Sequence, residues 1–311
     1  MGTPAFALPA LRAVADTCDV PLVVTQPDRP RGRGREVGAS DVAREAEALG
    51  LAVAKPQSLE RGETRAQLEA LRPDLFAVVA FGGILSTAML ALPRAGSINL
   101  HGSLLPRYRG ASPVQRALWD GETGTGVTTM WMDEGIDTGD LLLQRWTPID
   151  PEDDAETLGA RLAELGGPLL AESLLLAHAG RAPRHPQDRA RATYAKKLAK
   201  ADGLVNWALD AATVWNRARA MTPWPGATAM HRGKRLLVTR AWPHHLLPAD
   251  AEPGNVLAIT ADGVAVACKP GALWLARVKA EGRDAMDAAA WARGARLEVG
   301  ESLAVTKEAH A

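Results

Sequence analysis

Ser97-Ile-Asn-Leu-His-Gly-Ser-Leu-Leu-Pro-Arg-Tyr-Arg-Gly110 is the stretch whose reading decides the fold. If Ser97 to His101 is a strand, Asn99 and His101 project from one face while Ile98 and Leu100 point into the opposite layer. Two polar groups then share a site where the strand runs into a Gly-Ser loop, and in open α/β sheets ligands bind at the carboxyl ends of strands. Further on, Asp133-Glu-Gly-Ile-Asp-Thr-Gly-Asp140 offers carboxylates on a loop whose two glycines permit a tight turn.

Upstream, Asp74 to Phe81 is an apolar run ending in Gly82-Gly83, and Val20 to Thr25 and Leu51 to Ala54 are shorter strand candidates. Between them lie helical patterns over Ala5 to Ala15, Asp41 to Leu49 and Arg61 to Leu71, the first with Thr3 as N-cap and Pro4 at the first helical position. Gln26 to Arg35 reads as a loop. Alternation of this kind predicts an α/β domain with a largely parallel, Rossmann-like sheet and helices on both faces. Downstream, Ser112-Pro113 starts a helix running to about Asp120. Val127 to Met132 and Leu141 to Trp146 are strands, and Leu158, Leu162, Leu165 and Leu169 line one face of a helix over Asp154 to Ala177.

From Arg181 to Lys200 the composition changes: Arg181, Arg184, Arg189, Arg191, Lys196, Lys197 and Lys200 stand against the single acid Asp188. That is a linker signature. Beyond it, Ala211 to Ala220 is a helix and Ala227 to Ala276 a series of short strands, with turns at His231-Arg232-Gly233, Glu252-Pro253-Gly254 and Ala261-Asp262-Gly263, so a small β-barrel is expected. The expected division is a catalytic domain over 1–180, a basic linker over 181–200 and a barrel over 201–311. A length of 311 residues with 47% hydrophobic content is enough for two cores.

With 36 basic and 36 acidic residues, nothing global points to nucleic acid or an anionic membrane, so any such partner must be met by local clusters. Cys18 and Cys268 are the only cysteines, too few for a disulfide framework or a thiolate zinc site. No apolar run reaches the roughly 18 residues of a membrane span and no signal peptide is evident, so a cytoplasmic location is expected.

Asn99 and His101 can both donate hydrogen bonds toward one point, and a nearby carboxylate such as Asp137 can hold a charged imidazole or relay a proton. Such a trio suits transfer of an acyl group to an amine, with two donors for the developing oxyanion and an ionisable pair for the protons. On residue types and spacing alone, Asn99 capping a turn and His101 as a strand-end histidine with a local partner fits equally well. A hydrolase triad of Ser103, His101 and Asp137 lacks a Gly-x-Ser-x-Gly elbow. His244-His245 has no ligand cluster around it and reads as a surface turn. Gly32-Arg33-Gly34 lacks the third glycine of a dinucleotide fingerprint, and Gly233-Lys234 lacks the P-loop spacing. The arginines at 29, 31, 33 and 35 and the basic linker are either solvated faces or a pair of patches straddling a phosphate backbone.

Asn99-Leu-His-Gly-Ser-Leu-Leu-Pro-Arg-Tyr-Arg-Gly-Ala-Ser-Pro-Val-Gln-Arg-Ala-Leu-Trp119, followed by Met132-Asp-Glu-Gly-Ile-Asp-Thr-Gly-Asp140, closely resembles the folate-dependent formyltransferase family. Gly2-Thr-Pro-Ala-Phe6, Thr25-Gln-Pro-Asp-Arg-Pro-Arg-Gly-Arg-Gly34, Thr193-Tyr-Ala-Lys-Lys-Leu-Ala-Lys200 and Val205-Asn-Trp207 are similar to the branch of that family acting on methionyl-tRNA. The resemblance covers nearly the whole chain and is weakest after about Pro270. It implies a Rossmann-like domain followed by an OB-like barrel, and transfer of formyl from 10-formyltetrahydrofolate to the α-amine of initiator methionyl-tRNA.

Carried over residue by residue, the resemblance puts the catalytic Asn, His and Asp on Asn99, His101 and Asp137. It puts the folate pocket on Ser103, Leu104, Leu105 and Pro106, with Phe81, Gly82, Ile84 and Leu85 as a second wall. It assigns tRNA contacts to Arg31, Arg33, Arg35, Lys197 and Lys200, and it implies no metal. A monomer with no membrane partner is expected. Formyltransferases acting on glycinamide ribonucleotide or an amino sugar, and formyltetrahydrofolate hydrolase, lack this combination of arginine loop, basic linker and barrel. A nucleic-acid-binding OB protein with a degenerate enzyme domain is at odds with an intact Asn99, His101 and Asp137. The family pattern also places an apolar strand directly before the Gly-Thr-Pro turn, where Met1 occupies its last position. The expectation is therefore that Met1 is an internal methionine and the native chain starts several residues earlier.

Overall fold

The computed structural model describes residues 1–31, 36–244 and 251–305. Arg33, Arg35 and His245 fall outside them. Two compact units are present: Met1–Pro113, Gly124–Pro148 and Gly159–Ala195 form one, and Val114–Thr123, Ile149–Leu158 and Lys196–Ala311 the other.

Chain order up to the basic segment is α1 (Leu8–Thr17), β1 (Val23–Val24), β2 (Arg29–Arg31), β3 (Glu36–Gly38), α2 (Asp41–Ala48), β4 (Val53–Ala54), α3 (Glu63–Leu71), β5 (Leu75–Val79), α4 (Thr87–Leu90), β6 (Gly96–His101), α5 (Pro113–Trp119), β7 (Gly124–Trp131), β8 (Leu141–Pro148) and α6 (Ala155–His178). The central sheet runs β5-β6-β7-β8. β5 and β6 are parallel, whereas β7 runs antiparallel to both of its neighbours, β6 and β8. The sheet is thus mixed rather than largely parallel, because β7 and β8 are joined only by the acidic loop, and so short a connection returns the chain antiparallel.

β1 pairs with β4 in parallel. Met1 and Gly2 link that pair to β5: the Gly2 N–H donates to the Val24 carbonyl at 3.1 Å and the Val79 N–H to the Met1 carbonyl at 2.9 Å. Thr3 is not a helix cap. Its hydroxyl donates to the Phe81 carbonyl at 2.8 Å, the first turn over Ala5–Ala7 is 3-10, and α1 begins only at Leu8. The described part of the Gln26 to Arg35 stretch is not simply a loop either, since Arg29 pairs with Gly38 and Arg31 with Glu36 where β2 and β3 run antiparallel.

On β6, Ile98 and Leu100 are buried on the face covered by α6. Complete burial of each such side chain contributes about 1.5–3 kcal/mol. Gly166 lets α6 pass this close, because a Cβ there would lie 2.6 Å from a Leu100 methyl. Phe76 and Val78 of β5 form a second cluster with Phe81, Leu85 and Met89. The chain leaving β5 is therefore anchored where it turns over the carboxyl edge.

The second unit contains α7 (Ala211–Ala220), β9 (Ala227–His231), β10 (Lys234–His244), β11 (Val256–Ile259), β12 (Val264–Ala267), β13 (Ala272–Ala280), β14 (Met286–Asp287) and α8 (Ala288–Ala295). Its sheet has the order β11-β12-β13-β10-β9 with β14 on β13, every pairing antiparallel, consistent with a small barrel. Trp207, Val214, Leu236, Leu273, Leu275 and Trp291 belong to its core. α7 has the predicted bounds, its N-cap Asp210 accepting from the Thr213 N–H at 2.9 Å and hydroxyl at 2.6 Å. β14 and α8 lie beyond the strands read from the sequence. Among the described residues no helix is long and apolar enough to cross a membrane.

Candidate functional site

β6 lies between a parallel and an antiparallel neighbour, with Asn99 opposite Val78 on one side and Met130 on the other. His101 is at its end, opposite Thr128, and only 6% exposed. Its Nε2 lies 2.9 Å from the Tyr108 carbonyl oxygen. A carbonyl can only accept, so Nε2 carries a proton and donates. That leaves Nδ1 facing the carboxylate of Asp137, 3.6 Å from Oδ2.

Asp137 sits on the loop between β7 and β8. Asp133 builds that turn, its Oδ1 accepting from the Gly135 N–H at 3.0 Å and the Thr138 hydroxyl at 2.6 Å. Asp137 itself has a φ of 53°, left-handed backbone that an aspartate tolerates better than most residues. Its Oδ2 accepts from the Gly110 N–H at 2.8 Å. The same carboxylate oxygen therefore meets the imidazole and a backbone donor of the loop following β6. Asn99, on the His101 face of β6, is half-buried, and its side-chain amide has no protein hydrogen-bond partner among the described residues.

Thr128 pins the loop after His101. Its hydroxyl donates to the Ser103 carbonyl at 2.6 Å and accepts from the Leu105 N–H at 3.1 Å, while Gln144 Nε2 donates to the Leu105 carbonyl at 2.8 Å. Leu105 is buried, and Leu104 lies against Gly126 of β7. The Ser103 hydroxyl donates to the Arg107 carbonyl at 2.6 Å, and with the imidazole Nε2 committed to Tyr108 the pair has none of the Ser–His hydrogen bond a hydrolase triad needs. On the neighbouring loop Phe81 and Leu85 are buried in the core, Gly82 has a φ of 79°, and Ile84 is 90% exposed. Thr87 ties the far end of that loop to the acidic one, its hydroxyl donating to Glu134 at 2.8 Å.

The segment that reads as a linker is, over its first part, held to the catalytic unit. His185 pairs with Leu141, and Arg109 forms a parallel bridge with Tyr194. The Tyr108 N–H donates to the Thr193 hydroxyl at 2.8 Å, and Trp131 Nε1 donates to the Pro183 carbonyl at 3.2 Å beneath a stacked Arg184. Tyr108, Thr128 and Thr193 thus shape the surroundings of His101, yet no local pattern marks them. Thr128 and Thr193 act on partners distant in sequence, and Tyr108 acts through a main-chain oxygen common to every residue.

Lys197 and Lys200 are exposed on the second unit, and Arg31 is on β2. His244 is not in a surface turn: it ends β10, its ring 6.4 Å from that of Trp274. Gly233, with a φ of 76°, is in the turn between β9 and β10.

Residues 6–174 match the family model "Formyl transferase", and residues 197–296 match "Formyl transferase, C-terminal domain". A methionyl-tRNA formyltransferase of Geobacter metallireducens is 44% identical over 304 residues, covering 97% of each chain. One of Xylella fastidiosa is 47% identical over 293 residues, 93% of this chain and 94% of its own. Among solved structures, the N-formyltransferase of Helicobacter canadensis, in complex with folinic acid and dTDP-3-aminofucose, superposes with a TM-score of 0.64. It is 16% identical, covering 90% of this chain and 96% of that one. HypX of Aquifex aeolicus, in complex with tetrahydrofolic acid, gives a TM-score of 0.59 at 21% identity, over 83% of this chain and 45% of that one. At such identities these two show a shared fold.

Proposed function

The chain belongs to the formyl transferase family, and from that membership we propose that Asn99, His101 and Asp137 are its formyl-transfer centre. It is an enzyme that moves a formyl group from a tetrahydrofolate-type donor to the α-amino group of methionyl-tRNA, the reaction that supplies N-formylmethionyl-tRNA for translation initiation. The donor in our reading is 10-formyltetrahydrofolate. One observation carries the assignment of residues: at the carboxyl end of β6, an uncommitted amide and a buried imidazole facing a carboxylate share one strand face.

The residues around this point suit such a donor. The loop over Phe81–Leu85 and the segment Ser103 to Pro106 flank the carboxyl ends of β5 and β6. They present backbone polar groups beside Leu104 and the exposed Ile84, as a folate, with its flat polar ring and its length, requires. When bound, it supplies a formyl carbon on nitrogen, open to attack by an amine. Asn99 offers an amide N–H to the formyl oxygen as that oxygen gains negative charge. His101, held between the Tyr108 carbonyl and Asp137, adds positive charge beside the same oxygen. Asp137 orients the imidazole, and the His101–Asp137 pair passes the proton that the attacking amine loses to the donor nitrogen, whose bond to the formyl carbon breaks as tetrahydrofolate leaves.

The tRNA contacts we assign are Arg31, Arg33 and Arg35 on the first unit and Lys197 and Lys200 on the second, where exposure of both lysines supports a phosphate-facing role. The matches over 6–174 and 197–296 support the division into a catalytic domain over 1–180, a linker over 181–200 and a barrel over 201–311. We take the working form to be a cytoplasmic monomer.

The test is direct. Purified protein is incubated with initiator methionyl-tRNA and 10-formyltetrahydrofolate, the ester is hydrolysed, and the released amino acid is weighed by mass spectrometry. N-formylmethionine formed with this donor, and absent when the 5-formyl isomer replaces it, supports the reading. Free methionine alone overturns it.

A further inference from the structure

We propose that Gln187 is a positioning residue for this reaction, fastening the loop that carries Asp137 to the loop that carries Gly110. The inference rests on the role given to Asp137 above. Gln187 is half-buried in an otherwise exposed stretch of the basic segment, and every hydrogen-bonding site of its amide is used. Its Oε1 accepts from Arg109 Nε at 3.1 Å and Nη2 at 2.7 Å. Its Nε2 donates to the Asp137 carbonyl at 2.9 Å and the Gly139 carbonyl at 2.8 Å. The chemistry of the partners determines the orientation of the amide: a guanidinium only donates and a carbonyl only accepts.

These contacts close a ring. Gln187 donates to the main chain of Asp137, and the Asp137 carboxylate accepts from Gly110. Gly110 is bonded to Arg109, which donates back to Gln187. Asp137 has a left-handed φ of 53°, so the direction of its carboxylate depends on what holds its peptide units. Gln187 holds the carbonyl on one side while Gly110 and His101 meet the carboxylate on the other. Arg109 is buried, and Gln187 gives its guanidinium a neutral acceptor, so this bond brings no further negative charge toward the Asp137 carboxylate.

Glutamine suits the position uniquely among its near relatives. Glutamate would still accept from Arg109 but would set carboxylate oxygens against two carbonyls. Asparagine is one methylene short of spanning the gap, and leucine makes none of the four bonds. If the ring loosens, the carboxylate moves relative to His101, and a misplacement of about 1 Å at a catalytic group can cost on the order of a hundredfold in rate.

A double-mutant cycle under single-turnover conditions tests this, with Gln187→Leu and Gln187→Glu each made alone and in an Asp137→Asn background. Methionyl-tRNA binding and thermal melting are measured in parallel. In the wild-type background both Gln187 variants are expected to lower the rate at saturating substrate roughly 10- to 100-fold with tRNA affinity unchanged. In the Asp137→Asn background they are expected to cost little more, because the group they position is already gone. A wild-type rate in Gln187→Glu overturns the proposal, as does an undiminished loss in the Asp137→Asn background. If Asp137→Asn is itself fully active, the role of Asp137 fails first and the inference falls with it.

Discussion

His101 Nδ1 lies 3.6 Å from Asp137 Oδ2, while the opposite ring nitrogen is tied to the Tyr108 carbonyl at 2.9 Å. The imidazole is held at both ends by groups that attract protons, an arrangement suited to carrying positive charge in a buried place. Removing the carboxylate while keeping its shape isolates that effect. Asp137→Asn is expected to reduce turnover about 10²- to 10⁴-fold and to leave the dissociation constant for methionyl-tRNA unchanged. Steady-state kinetics with a filter-binding titration checks both halves, and parallel losses in turnover and binding would refute the assignment.

Gly110 is the backbone donor to Asp137, and its φ of 115° is open to glycine and strained for any other residue. A Cβ there would also lie 2.7 Å from the Ala195 carbonyl oxygen. Gly110→Ala must therefore shift the loop that carries Tyr108 and Arg109. Strain of this kind costs about 1–3 kcal/mol, which lowers Tm by a few degrees in a unit of this size. Calorimetry reads the stability loss, and the formylation assay should show a larger proportional loss than the melting shift alone implies.

Exposed lysines that meet phosphates release counterions on binding, which appears as salt dependence. Replacing Lys197 and Lys200 together by alanine is expected to weaken methionyl-tRNA binding and to flatten the plot of log affinity against log salt. Arg33→Ala is expected to do the same independently. Unchanged slopes would return these residues to the role of solvated charges.

Asp210 caps α7, and its carboxyl is held below the ordinary value of 3.8 by the Thr213 hydroxyl and then by the Thr213 N–H. Since the folded state lowers this value, the carboxylate stabilises the barrel above about pH 3.8 and that contribution disappears as pH falls through the lower folded value. Asp210→Ala is expected to cost on the order of 1 kcal/mol at neutral pH. Melting curves from pH 7 to pH 3 check it: the gap between wild type and variant should close toward the acid end, and a gap independent of pH would contradict the charge-based account.

Strand β6 and its polar face were legible because a period of two is written into Ser97 to His101, and Ile98 and Leu100 do lie buried on the α6 face. The acidic loop was legible as a source of carboxylates, but among its four acids Asp137 was singled out by the family resemblance; α7 was legible over the bounds it has. Strand direction was not, since an alternating pattern is the same read parallel or antiparallel, and so the expectation of a largely parallel sheet did not anticipate the antiparallel pairing of β7 with β6 and β8. Thr3 has the residue type of a helix cap, yet a carbonyl from Phe81, distant in the chain, captures its hydroxyl. The supports of the site were the least legible. Tyr108 offers His101 only a main-chain oxygen, and Gln187 lies in a stretch whose charge and prolines say linker. α8 was missed because it lies after Ala276, beyond the last strand read from the sequence.

The central claim is that Asn99, His101 and Asp137 act in the chemical step of formyl transfer. Rapid-quench single-turnover formylation of initiator methionyl-tRNA, with enzyme in excess and 10-formyltetrahydrofolate saturating, measures that step without interference from product release. Wild type should convert the bound substrate in one fast phase, while Asn99→Ala and His101→Ala should each be slower by about 10²- to 10³-fold with tRNA binding retained. A fast phase at wild-type rate in either variant would contradict the account.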